Sequence, residues 1–270
     1  MMRYGLKKSP FAAFLFLVIF AFSVWGQEIR FDVSASVDWR RAELFAQTSF
    51  DLAQAGLRLP SGRLIGEEIL QRACPQLLRP YILSLRVDSS STIGTLVDRG
   101  ELSLEDLDSL SLEARKNPPS LSADLTGMIG RYTVYMEGIS GLLNRHSRAV
   151  EPVRPLLPVQ TVQYTGIIIV ADGELPIRGR NAGALVEPCL FPKIWDTNMN
   201  LVYERSMIEP SKASALIVRY VAPESIFRPT PSGLEGELAA FLGPRPLRII
   251  AREVFGIYPT DPVIDRDDAL

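Results

Sequence analysis

From Ile29 the chain alternates apolar and polar residues: Ile29, Phe31, Val33 and Ala35 are separated by Arg30, Asp32 and Ser34. That period of two predicts a half-buried strand. Asp38 precedes Trp39-Arg-Arg-Ala-Glu-Leu-Phe-Ala, and an Asp there suits a helix N-cap, so a helix is predicted from Trp39 to about Gly56. Leu59-Pro60-Ser61-Gly62 interrupts the chain. A second helix is predicted after Ser61, with Ile65, Ile69, Leu70 and Ala73 on its apolar face and its end before Pro75. Tyr81 to Asp88 fits a strand or a helix. Asp88-Ser-Ser-Ser-Thr92 reads as polar punctuation. Ser103 and Asp106 have the spacing of a capping box, which predicts a third helix to Ala114, ended by Asn117-Pro-Pro-Ser120. Arg131 to Ile139 alternates again and predicts a strand.

Glu151 to Gln160 holds prolines at 152, 155 and 158 and reads as a linker between two parts. The strand signal strengthens beyond it. Gln163 to Val170, with its Ile167-Ile-Ile-Val170 run, predicts a strand buried on both faces. Pro192–Trp195 and Leu201–Glu204 predict two strands joined by a turn at Asp196-Thr-Asn-Met-Asn200. Residues 214–221 fit a strand or a helix, residues 233–242 a short helix, and Pro246–Phe255 a strand. The fold class expected is α+β: a helix-rich N-terminal part packed with a mainly antiparallel C-terminal sheet, as one domain or two closely packed halves. The expected organisation is residues 1–26, 27–150, the linker 151–160, and 161–270.

Residues 1–26 carry Arg3, Lys7 and Lys8 ahead of an apolar run from Phe11 to Trp25, followed by Gly26. This is the pattern of a signal peptide cleaved before Gln27; its rival is an uncleaved membrane anchor. Removing its three basic residues leaves 26 basic against 31 acidic ones, a net charge of −5. Such a balance argues against non-specific binding to nucleic acid or anionic lipid. The expected location is therefore the periplasm, with membrane contact only peripheral or through the N-terminal segment.

Cys74 and Cys189 are the two cysteines. An exported protein permits a disulfide between them; two separate buried thiols are the alternative. His146, the one histidine, lies in Asn144-Arg-His-Ser-Arg148, a polar stretch that suits an exposed loop better than a catalytic base. One His and two distant Cys make a poor zinc set, and the acidic tail (Asp261, Asp265, Asp267, Asp268) lacks EF-hand spacing and reads as a solvated edge. Arg178-Gly-Arg-Asn-Ala-Gly183 matches neither a phosphate loop nor a dinucleotide fingerprint. It reads as a flexible connection whose Arg178 and Arg180 offer contacts to a partner. No cofactor, metal or catalytic residue is expected.

Tyr164-Thr165-Gly166, Pro188, Phe191-Pro192-Lys193-Ile194, Asp196 and Val202-Tyr203 together resemble the flagellum-associated FlgP-like proteins and related small outer-membrane lipoproteins of motile Gram-negative bacteria. Pro246 to Ala251 is similar to their next strand and Asp265 to Ala269 to their closing segment. Weaker similarity extends to Arg41–Gln47, Val87–Thr92 and Tyr132–Glu137. The chain departs from them in lacking a cysteine near residue 26 and in carrying Glu174 to Val186 as an insertion. Its general style also resembles exported proteins of spirochaetes. The resemblance implies a non-enzymatic envelope protein of structural or assembly type, associated with the flagellar apparatus, with envelope or flagellar proteins or a second copy as partners. The alternatives are an envelope hydrolase using paired carboxylates and a module that binds a small ligand or lipid.

Overall fold

A computed structural model describes residues 29–144, 146–150, 164–212, 217–221 and 236–269. The segments expected to be a signal peptide and a linker lie outside the described residues. The fold class is α+β.

The first half is a two-layer unit. Strands β1 (Asp32–Asp38), β2 (Glu43–Asp51), β3 (Arg115–Leu121) and β4 (Gly127–Tyr135) form an antiparallel sheet in the order β1-β2-β4-β3. Pairing sets Val33, Ala35 and Val37 beside Thr48, Ala46 and Leu44, and Leu44 and Phe50 beside Val134 and Met128, so one face is continuous and apolar. Helix α1 (Gly62–Leu83) covers that face with Gly62, Gly66, Leu70, Cys74, Leu78 and Ile82, a stripe of four-residue spacing. Gly66 permits the close approach, since a Cβ there would sit 2.8 Å from Met128 Cε. Helices α2 (Ile93–Asp98), α3 (Leu104–Glu113) and α4 (Met136–Leu143) complete the layer. A bidentate Arg79–Asp108 pair ties α3 to α1. The capping box of Ser103 and Asp106 forms as expected.

Three expectations for this half are corrected; the strand predicted over Arg131–Ile139 ends at Tyr135, and Met136–Ile139 open helix α4 with Met136 and Ile139 buried on one face. Trp39–Gly56 holds strand β2, not a helix. Asp38 Oδ1 accepts from the amides of Arg40 and Arg41, closing a hairpin turn with Ala42 at φ 55°. Leu44, Ala46, Thr48 and Phe50 are then buried at a period of two. Helix α1 does not stop at Pro75; it runs through Pro75 and Pro80, held by its buried stripe, while Ile65 faces solvent.

The second half is built on a sheet of β5 (Gly166–Val170), β8 (Ile194–Asp196), β9 (Leu201–Tyr203), β10 (Pro246–Phe255) and β11 (Asp261–Ile264), in the order β5-β10-β11-β8-β9. It is mixed rather than mainly antiparallel: β5 runs parallel to β10, and β11 parallel to β8. The reason is connectivity, because the neighbours of β5 and β8 arrive only late in the chain. Ile169, Leu247, Ile249, Ile194 and Ile264 pack on one face; helix α5 (Gly236–Leu242) covers Ile168 and Val170 on the other. Ile167 remains exposed, so burial on both faces of β5 is only partial. Gly166 lies against α5: a Cβ would sit 2.8 Å from the Leu242 carbonyl oxygen. Asp196 closes the β8–β9 turn through the amides of Asn198 and Asn200 and the Asn200 side chain. A short hairpin, β6 (Leu175–Pro176) and β7 (Gly183–Ala184), fills the predicted loop, and α6 (Arg266–Ala269) closes the chain. Residues 217–221 have no regular structure. Among the described residues no helix is long and apolar enough to cross a membrane.

Candidate functional site at the junction of the halves

The polar run Asp88–Thr92 is the seam of the molecule. Asp88 Oδ1 accepts from the amides and hydroxyls of both Ser90 and Ser91, which bends Arg86–Thr92 into a tight loop. The second half grips this loop from two sides. The amides of Leu190 and Phe191 donate to the carbonyls of Arg86 (3.0 Å) and Val87 (2.8 Å), and the amide of Tyr258 donates to Ser89 (3.0 Å). Arg86 pairs with Glu187 at 2.8 Å and stands 5.1 Å over the Tyr258 ring. Leu190 and Phe191 enter the hydrophobic core of the first half beside Leu85, Val87 and Ile93. Backbone hydrogen bonds, burial and charge all act across the same seam.

Beneath the seam lie the chemistry-bearing side chains of the second half. Asp261 is 1% exposed. Its carboxylate accepts from the Lys193 amide (3.1 Å), Trp195 Nε1 (3.3 Å) and Thr260 Oγ1 (3.1 Å), with a further bond from the Ser89 side chain. Burial dominates these bonds and raises its pKa. Cys189 is fully buried, and that burial pushes its thiol up to about 12. Tyr220 donates its hydroxyl to the Cys189 carbonyl and receives the Cys189 amide, both at 3.1 Å; burial raises the phenol well above its ordinary value. A thiol held neutral is not a nucleophile at neutral pH. Asp261 reaches the first half through its bond from Ser89, while Cys189, Tyr220 and Thr260 are committed to partners within the second half.

A notch of about 260 Å³ opens beside the seam, lined by Asp88, Phe191, Lys193, Glu204, Arg205 and Ser206. Lys193 Nζ lies 4.0 Å from Glu204, Ser206 bonds Glu204, and Arg205 stacks 5.3 Å over Phe191. Burial would raise the Asp88 carboxyl, but the bonds from Ser91 and Ser90 outweigh it and hold the pKa below the ordinary value.

Cys74 and Cys189 are separate buried free thiols, so the disulfide does not form. Cys74 belongs to the α1 stripe and its thiol is raised by burial to about 11. Arg178 is not a free contact residue. It pairs with Glu253 (3.0 Å) and donates to the Thr197 carbonyl (2.8 Å), while its amide bonds Val254. These bonds pin the β6–β7 hairpin onto β10, so the loop is not a flexible connection. Arg180 is exposed. His146 Nε2 lies 2.7 Å from the Ile208 carbonyl, which makes it a structural tie and not an exposed loop residue. The acidic tail is no solvated edge at Asp261, although Asp265 does pair at the surface with Arg252. No cluster of three metal-ligating side chains occurs among the described residues. The seam residues Ser89, Tyr220 and Thr260 were missed by sequence reasoning; the one signal was an unusual density of hydroxyls after Asp88.

Residues 30–142 match the family model described as Treponema pallidum Tp0624, N-terminal domain. Residues 166–270 match the one described as Treponema pallidum Tp0624, second domain. The two matches follow one another in the order of the named domains and point to a spirochaetal protein family. No curated protein matches the chain.

Proposed function

We propose that this is an exported, non-enzymatic structural or assembly protein of the bacterial envelope, associated with the flagellar apparatus as the FlgP-like resemblance implies. The observation that carries the reading is the seam itself: the amides of Leu190, Phe191 and Tyr258 bond Arg86, Val87 and Ser89 of the first half, Asp261 takes a bond from Ser89, and Cys189, Tyr220 and Thr260 are spent on second-half partners beneath it. A two-part body joined by a bonded seam, with an unprotected sheet edge at β5, suits a scaffold. The spirochaetal family matches support the host setting. Deleting the gene and imaging the motors by cryo-tomography tests the proposal, with missing or misassembled periplasmic structures and impaired swimming expected; intact motors and normal swimming would sink it.

The hydrolase reading would centre on the notch with Asp88 and Glu204. A general acid needs a raised pKa, and Asp88 is held low. Normal turnover of envelope glycans by a variant lacking both carboxylates would remove that reading.

A further inference from the structure

The two larger sheets expose four edges among the described residues, and three are blunted against pairing. Strand β1 carries Asp32 and Asp38 at its ends, and Tyr81 donates to its Val33 carbonyl at 3.0 Å. Strand β3 holds Arg115, Lys116 and the bulged Pro118-Pro119. Strand β9 has only three residues. Charge, proline, bulges and shortness are the usual protections of a sheet edge. Strand β5, Gly-Ile-Ile-Ile-Val, has none of them. Ile167 is 42% exposed and Tyr164, just before the strand, 48%.

We infer that β5 is a self-association edge, pairing antiparallel with β5 of a second copy about a twofold axis at Ile168. This register sets Gly166 opposite Val170, Ile167 opposite Ile169, and Tyr164 opposite Asp172 of the other copy. The charge distribution selects this occupant. The N-terminal end of β5 is basic through exposed Arg245, whose carbonyl accepts from the Thr165 amide; Arg248 stands beside Ile168 at the middle of the strand, on the axis itself, and favours neither direction of pairing. The C-terminal end is acidic, with exposed Asp172 and Glu174. An antiparallel pair brings each basic end to the other copy's acidic end, twice by symmetry. A parallel pair would set like charges together. Hydrogen bonding of the edge supplies the attraction, and the uncharged side chains of β5 offer no repulsion.

The test is sedimentation equilibrium of the full chain in a mild detergent that shields residues 11–25. A dimer is expected. Ile167→Lys, at an exposed position, should give a monomer with an unchanged circular dichroism spectrum. Arg245→Glu should weaken dimerisation about tenfold, and adding Asp172→Lys with Glu174→Lys should restore it. If Ile167→Lys fails to fold, the charge series decides. A wild-type monomer at all concentrations, or a dimer indifferent to both sets, overturns the inference; so does a monomer that Ile167→Lys destabilises, which would mean that β5 is covered by its own chain. The inference stands apart from the flagellar reading, which motor imaging tests separately.

Discussion

Replacing Gly256 by alanine should loosen the seam from the inside. Gly256 has φ +123°, a region that side chains other than glycine's rarely enter. A Cβ built there overlaps Ser89 Cβ and the Tyr258 carbonyl oxygen, and lies 3.0 Å from the Ser89 carbonyl oxygen. Neither obstacle is the far end of a flexible side chain, so the backbone must move. Strain at such a φ costs about 1–3 kcal/mol, and overpacking adds about 1–3 kcal/mol. The displacement also threatens the Tyr258 amide bond to Ser89, at about 0.5–1.5 kcal/mol. The expected loss is about 2.5–7.5 kcal/mol, a large share of the roughly 5–15 kcal/mol that a folded domain commands. Urea unfolding followed by tryptophan fluorescence measures it, since Trp195 sits against Phe255 at 5.8 Å and Trp39 against Tyr220 at 5.7 Å. Gly100→Ala is the control: its φ is +71° but no atom lies within 4 Å of the added Cβ. Adding Ser89→Gly to Gly256→Ala should recover part of the loss by removing one obstacle. A Gly256→Ala protein no less stable than Gly100→Ala would refute the steric account.

Phe191→Ala should cost about 3–5 kcal/mol and, although it lies in the second half, should speed hydrogen exchange in β2 and β4 of the first; unchanged exchange there would mean that the cores are separate. Asp261 has a raised pKa in the folded chain, so the folded state holds its proton longer than the unfolded one. Its stability contribution is full below the ordinary carboxylate range and falls as pH rises from there through the folded value. Urea midpoints against pH should show this descending component in the native chain and lack it in Asp261→Asn. Cys74 and Cys189 should resist a thiol reagent in the native state and both react after denaturation without reductant, and a mass consistent with a bridge would contradict the free thiols. Arg178→Ala should speed amide exchange within 175–184, while Arg180→Ala leaves it unchanged.

Much of the second half was legible in the sequence. Strand β10 occupies the predicted Pro246–Phe255, and the β8–β9 turn uses the Asp and Asn residues that marked it. These features are local, so side-chain type and spacing decide them. The Trp39–Gly56 error is also local in origin. An aspartate that accepts amides two and three residues ahead starts a helix or closes a hairpin, and Asp38 does the second. The alternation of Leu44, Ala46, Thr48 and Phe50 was the better guide. The seam was hidden for another reason: Ser89 and Tyr258 meet across a large separation in sequence, and nothing in Asp88–Thr92 names its partner. The mixed sheet was hidden likewise, because strand direction there follows from who arrives last.

That order of arrival governs how the chain is made. Strands β10 and β11, two of the three inner strands of the second sheet, leave the ribosome after all the others. Until they emerge, the isoleucines of β5 have no neighbour in this sheet and the short β8–β9 hairpin has no support. Non-local parallel pairing is slow, and its unpaired intermediates are prone to aggregate. A newborn chain therefore carries the isoleucines of β5 unpaired during this interval, and a truncation that removes only residues beyond 245 deprives the second sheet of its centre rather than its margin.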